Sequence, residues 1–142
     1  MAENNTQSSQ PNETEARRLY NELQYYDSQI KKLQEEFGKV EQQIKDLTEL
    51  QKNLDTFAEQ KPGSETFIPI SNGIFVKATI KETDSFLINV GSNVAIPKSK
   101  DEAKELIKNQ QKELQDYREE IIQKVTELDT HAAEIEKKIL GK

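Results

Sequence analysis

Cysteine is absent from all 142 residues. That excludes disulfides, thiolate-held metal and a thiol nucleophile. Apolar residues are scarce at 33%, against 32% charged, too few for a conventional globular core. No run of about 18 apolar residues occurs, so nothing in the sequence is expected to span a membrane. Positive charge is in deficit, with a net charge of −6. A protein that displaces counterions from a nucleic-acid backbone needs a basic face, so no nucleic acid is expected as a partner. Phosphate-cradling loops are missing as well: Pro62-Gly63-Ser64 has no Gly-Lys-Ser/Thr after it. Residues 1–13 are polar, lack the apolar stretch of a signal peptide, and read as a disordered tail. These absences point to a soluble cytoplasmic protein that is not an enzyme and carries no metal or cofactor.

What remains is mostly Glu, Lys, Gln and Leu, the composition of long helices with a narrow apolar seam. The first helix is expected over residues 14–61, with Asn12 and Glu15 as an Asn form of the capping box. From Leu19 the apolar positions step by four and three through Leu23, Tyr26, Ile30, Leu33, Phe37, Val40, Ile44 and Leu47, and Leu54 resumes the series. A 4-3 pattern sustained that long predicts a coiled coil. Lys61-Pro62-Gly63 stops it, because proline disfavours helix at the residue before it.

A second helix is expected over 99–142, opened by the box Ser99-Lys100-Asp101-Glu102. Its seam is read as Ala103, Leu106/Ile107, Gln110, Leu114, Tyr117 and Ile121, then Val125, Leu128, Ala132, Ile135 and Ile139. The four-residue step after Ile121 predicts a stutter there. Acid-first i,i+4 pairs such as Asp27/Lys31, Glu35/Lys39, Glu41/Lys45, Glu120/Lys124 and Glu134/Lys138 are expected to decorate the outer faces. Two helices of matched length, roughly 70 and 63 Å at the α-helical rise, can fold back on each other as one antiparallel coiled coil.

Residues 62–98 break the pattern. Short apolar, β-branched runs at 66–70, 74–80, 86–90 and 94–97 are joined in pairs by Ser71-Asn72-Gly73 and Gly91-Ser92-Asn93, which are tight-turn sequences. The fold class is therefore α+β, a long antiparallel two-helix coiled coil with two central β-hairpins. Isolated two-stranded hairpins are marginal and leave open edges. Pairing with the same segment of other subunits remedies both defects, so the hairpins are read as an assembly module. The candidate interface residues are Phe67, Ile70, Ile74, Val76, Ala78, Ile80, Phe86, Ile88, Val90, Val94 and Ile96.

Laid on that plan, the stretches PISNGIFVKA (69–78) and NVGSNVAI (89–96) resemble the alpha-type subunits of the prefoldin family. Pro69, Gly73, Phe75, Ala78, Val90 and Gly91 fit the family's hairpin patterns, whereas Ser71, Asn93 and Pro97 depart from them. The resemblance covers residues from about 14 to 140. It implies a heterohexamer of two alpha-type and four beta-type subunits whose hairpins close into β-barrels. It also implies ATP-independent capture of unfolded proteins and delivery to a group II chaperonin. A structural or regulatory coiled-coil adaptor without chaperone activity is the alternative.

A client site is expected where the coiled coil ends, because fraying exposes seam residues there. Leu19, Leu23 and Tyr26 of the first helix, and Ile135, Ile139 and Leu140 of the second, lie in that region. Tyr20 and Tyr25 lie off the seam, where packing does not require them, and tyrosines make adaptable contacts. A seam that zips to its end beside two incidental tyrosines is the competing reading. His131, the one histidine, flanks the late seam and is read as solvent-facing.

Overall fold

The computed structural model describes residues 12–141. Of the expected tail, residues 1–11 lie outside the described residues; Asn12 and Glu13 are the cap and first residue of a helix. The elements run α1 (Glu13–Ala58), β1 (Glu65–Ser71), β2 (Ile74–Thr79), β3 (Ser85–Gly91), β4 (Val94–Ser99) and α2 (Lys100–Leu140). They fall into two compact units. One contains residues up to Gln42 and from Gln115 onward; the other contains Gln43–Leu114.

Both helix starts follow from side chains that satisfy orphan amides. The Asn12 Oδ1 accepts from the Glu15 amide at 2.8 Å. At α2 the Ser99 Oγ accepts from the Glu102 amide at 3.2 Å and donates to the Glu102 carboxylate at 3.1 Å, so the one hydroxyl ties the cap to both groups of Glu102. That hydroxyl holds the Glu102 carboxyl below its ordinary range. Helix α1 ends at Ala58 rather than at residue 61. Its last amides tighten, Glu59 bonding Thr56 and Gln60 bonding Phe57 at 3.3 and 3.0 Å, before Lys61 turns ahead of Pro62. Gly63, at φ 89°, and Ser64 then exchange backbone bonds with Ile80 and carry the first ladder on beyond β1.

In the unit formed by the helix ends, burial follows a strict 4-3 series. On α1 it runs Leu19, Leu23, Tyr26, Ile30, Leu33, Phe37, Val40, as the sequence predicts. On α2 it runs Arg118, Ile121, Val125, Leu128, Ala132, Ile135, Ile139. The stutter expected after Ile121 is therefore absent. It followed from placing Tyr117 in the seam, whereas the structure leaves Tyr117 exposed and turns Arg118 inward. Arg118 reaches across to the Glu41 carboxylate at 2.8 Å, and the Tyr117 hydroxyl donates to Glu36 at 2.9 Å. Tyr26 meets His131 further along, so the two helices run antiparallel here. The expected i,i+4 pairs do not form within 4 Å. Glu41 spends its charge across the interface on Arg118, and Glu134 lies 3.9 Å from His131.

In the second unit the α2 seam passes through Ala103, Ile107, Gln111 and Leu114, so Gln111 replaces the expected Gln110. Two successive steps of four place the seam's one irregularity between Ala103 and Gln111. Gln111 donates to the Thr48 hydroxyl at 3.4 Å. Asp55 accepts from Lys104 at 2.7 Å and lies 3.5 Å from Lys100. The lysine hydrogen bond, chiefly from Lys104, lowers the Asp55 pKa.

Candidate functional site

The hairpins form two separate antiparallel sheets, β1–β2 and β3–β4. In the first, Thr66 faces Ala78 and Ile68 faces Val76, while Phe67 faces Lys77 and Pro69 faces Phe75. Side chains alternate across a strand, so the two Phe residues share one face with Pro69, and Ile68 and Val76 lie on the other. Both faces are thus apolar. The ladder slips between Pro69 and Ser71, and Gly73 takes φ 76° to close the turn.

In the second hairpin Ile88 faces Ile96 and Leu87 faces Pro97. Pro97 lacks an amide to donate and sits where a two-stranded sheet tolerates it; β4 continues past it to Ser99 and hands over directly to α2. Ser92 and Asn93 both take positive φ at 50° and 61°, which forms a tight primed turn. Gly91, at φ 115°, donates its amide to the Asn89 side chain at 2.9 Å. Phe86 packs edge-on against Phe57 of α1 with ring centres 5.7 Å apart. Beside it lies a groove of about 520 Å³ whose lining includes Leu50, Leu54, Leu87, Leu106 and Ile107.

Of the predicted interface residues, Phe67, Ile70, Ile74, Val76, Val90, Val94 and Ile96 are exposed, and Ala78, Phe86 and Ile88 are half-buried. Ile80 is buried within the chain itself, so it is corrected to a core residue, tied down by the Ser64 ladder. Alternation alone missed Ile68, Phe75 and Leu87, the last 71% exposed. The missed signal was the unbroken run Phe67-Ile68-Pro69-Ile70, because strands covered on both faces read as continuous apolar segments. Every strand here is an edge strand, and a hairpin with both faces apolar has nowhere to bury them in its own unit.

The helix ends carry the second candidate surface. Leu19 and Ile135 are buried seam residues, so in this arrangement they hold the helices together. Leu23, Tyr26 and Ile139 are half-buried. Tyr20, Tyr25 and Leu140 are 55%, 60% and 61% exposed. Tyr25 meets Tyr26 edge-on, and Tyr26 stacks on His131, each with ring centres 5.8 Å apart. His131 is exposed, as expected, but its stacking partner was not foreseen. The spacing of one helix does not reveal which residue of the other it meets. Half-buried and exposed aromatics together offer flat apolar area at low entropic cost. Among the described residues no group of three or more His, Asp or Glu side chains could hold a metal, and no helix is long and apolar enough to cross a membrane.

Comparison with known proteins agrees with this plan. The family model described as Prefoldin subunit matches residues 26–141. Prefoldin subunit alpha of Methanobrevibacter smithii is 35% identical over 98 residues, covering 69% of this chain and 66% of the relative. Prefoldin subunit alpha of Methanococcus vannielii is 32% identical over 126 residues, covering 81% and 84%. The cryo-EM structure of filamentous PFD from Methanocaldococcus jannaschii superposes with a TM-score of 0.77 at 22% identity, covering 82% of this chain and 96% of that one; at that identity the likeness concerns the fold.

Proposed function

The chain belongs to the prefoldin family as an alpha-type subunit, and from that premise we propose that it serves an ATP-independent chaperone complex as one of its structural arms. The complex is a heterohexamer of two alpha-type and four beta-type subunits in the cytoplasm. It holds unfolded polypeptides at the coiled-coil ends and passes them to a group II chaperonin.

The observation that carries this reading is the solvent exposure of the hairpins. Phe67, Phe75 and Leu87 are more than half exposed on strands with open edges, and patches of that kind mark interaction sites. Edge-to-edge pairing with neighbouring subunits satisfies the unpaired amides and covers the apolar faces together. Support for client holding comes from the other unit, where Tyr20, Tyr25 and Leu140 are exposed while the seam beneath them is already closed by Leu19 and Ile135. These side chains contribute nothing to pairing the helices that the seam does not already supply.

The test combines this chain with a beta-type subunit and follows aggregation of a chemically denatured protein without nucleotide. The complex is expected to suppress aggregation. The variant Tyr20→Ser/Leu23→Ser/Tyr25→Ser is expected to suppress it less while assembling normally by size-exclusion chromatography. A complex that assembles but leaves aggregation unchanged is the adaptor of the alternative reading.

A further inference from the structure

In the helix-end unit, nearer to Gln42 and Gln115 than to the helix ends, lies an apolar hollow of about 230 Å³ lined by Gln34, Phe37, Ile121, Ile122, Val125 and Thr126. Ile121 is buried and serves the seam, whereas Ile122 beside it is 44% exposed and lies off the 4-3 series. Gln34 brings a side-chain amide to the lining, whereas the Thr126 hydroxyl donates to the Ile122 carbonyl at 2.9 Å and keeps only acceptor capacity.

The charges around the hollow indicate what it receives. Most of the net charge of −6 falls in this unit. The adjoining stretch of α2 carries Asp116, Glu119, Glu120, Glu127 and Asp129. Of its two cations, Arg118 is already engaged by Glu41 and Lys124 is outnumbered. The α1 wall is balanced, with Lys31, Lys32 and Lys39 against Glu35, Glu36 and Glu41, so the excess of negative charge lies on α2. Glu119 lies three residues before Ile122, and Asp129 lies three residues after Thr126, so each shares the helix face of the hollow at one end of it. Among the described residues neither takes part in an ion pair within 4 Å. Ten residues of helix separate them, about 15 Å. An extended peptide advances about 3.3 Å per residue, so two of its residues four apart span about 13 Å.

We propose that this hollow is a second client subsite, which seats one apolar side chain of an extended, unfolded segment whose residues two before and two after it are lysine or arginine. The inference rests on the client-holding reading and adds a substrate preference to it. The apolar side chain covers Ile122 and Phe37, and the flanking cations meet Glu119 and Asp129. Unfolded segments rich in acidic residues are disfavoured at the same place.

The test measures binding of two labelled peptides to the full chain by fluorescence anisotropy at low salt. One carries Lys-Ala-Phe-Ala-Lys and the other Glu-Ala-Phe-Ala-Glu, each within a neutral Gly/Ser frame. The lysine peptide is expected to bind about tenfold more tightly, since two exposed charge contacts are each worth a few-fold. Glu119→Gln/Asp129→Asn is expected to erase that preference, and added salt to reduce it. Ile122→Ser is expected to weaken binding of the lysine peptide. Equal binding of the two peptides, no binding of either, or insensitivity to Ile122→Ser overturns the subsite. So does concentration-dependent self-association that Ile122→Ser abolishes, because the hollow would then hold a second copy of the chain. If the wild-type complex suppresses aggregation while the peptides are not discriminated, the subsite alone fails. If the wild-type complex suppresses nothing, the parent reading fails.

Discussion

Ser92 occupies a backbone conformation that glycine adopts without strain, φ 50°. A side chain in the left-handed region costs on the order of 1 kcal/mol, so Ser92→Gly is expected to raise stability by up to about that amount in thermal denaturation. Asn93, at φ 61°, is among the residues that tolerate the region best. The sequence marked this turn through Gly91 and Asn93, both of which take positive φ, but not Ser92 between them, because serine carries no local signal for that region. Ser99 was fully legible, since a capping box is a local motif whose geometry depends on four consecutive residues. Ser99→Ala is expected to lower stability by about 1 kcal/mol, read as a lower denaturation midpoint. Asp55 was not legible as a lysine partner, because Lys100 and Lys104 lie far from it along the chain. Its folded pKa is depressed, so the stabilisation it supplies is present above its unfolded pKa and is lost as pH falls through the folded one. Comparing melting temperatures of wild type and Asp55→Asn across the acid range should show the difference present near neutrality and vanishing in acid.

Among the elements, α1 was almost fully readable: its seam holds the predicted frame from Leu19 to Leu54 without a slip. Helix α2 was readable in two stretches and misread between them. Gln110 and Gln111 are adjacent and chemically identical, and Tyr117 looks more like a seam residue than Arg118 does. Only the partner helix decides, by presenting Glu41 to a guanidinium and Glu36 to a phenol. Long charged side chains can occupy such positions because their stems are apolar and only the head requires a partner. Ile121 and Ile122 separate the two roles cleanly. Ile121→Ala is expected to cost about 2–3 kcal/mol by chemical denaturation, at the lower end for a buried aliphatic truncation. Ile122→Ala, on a half-open surface, is expected to cost less than about 1 kcal/mol. The hairpins show the opposite limitation. Their strands and turns were legible from β-branched runs and Asn-Gly chemistry, yet the alternation rule assumed a single apolar face and so passed over Ile68, Phe75 and Leu87.

For the whole molecule, two units divide the chemistry. Gln43–Leu114 holds nearly all the exposed aliphatic and aromatic strand surface, and the helix-end unit holds most of the negative charge. Assembly and client holding should therefore be separable by mutation. Phe75→Asp/Leu87→Asp is expected to abolish co-elution with a beta-type subunit while circular dichroism reports unchanged helix content, because both side chains are more than half exposed. If co-elution survives, the hairpin faces are not the joint. The two uncovered faces of the β1–β2 hairpin also bear on supply. A copy that has met no partner exhibits greasy strands and vacant edges to every protease and every other nascent chain, so its lifetime depends on how soon it is claimed. Surplus production of this one subunit would then accumulate as waste, and matched synthesis of its companions becomes a condition of its survival.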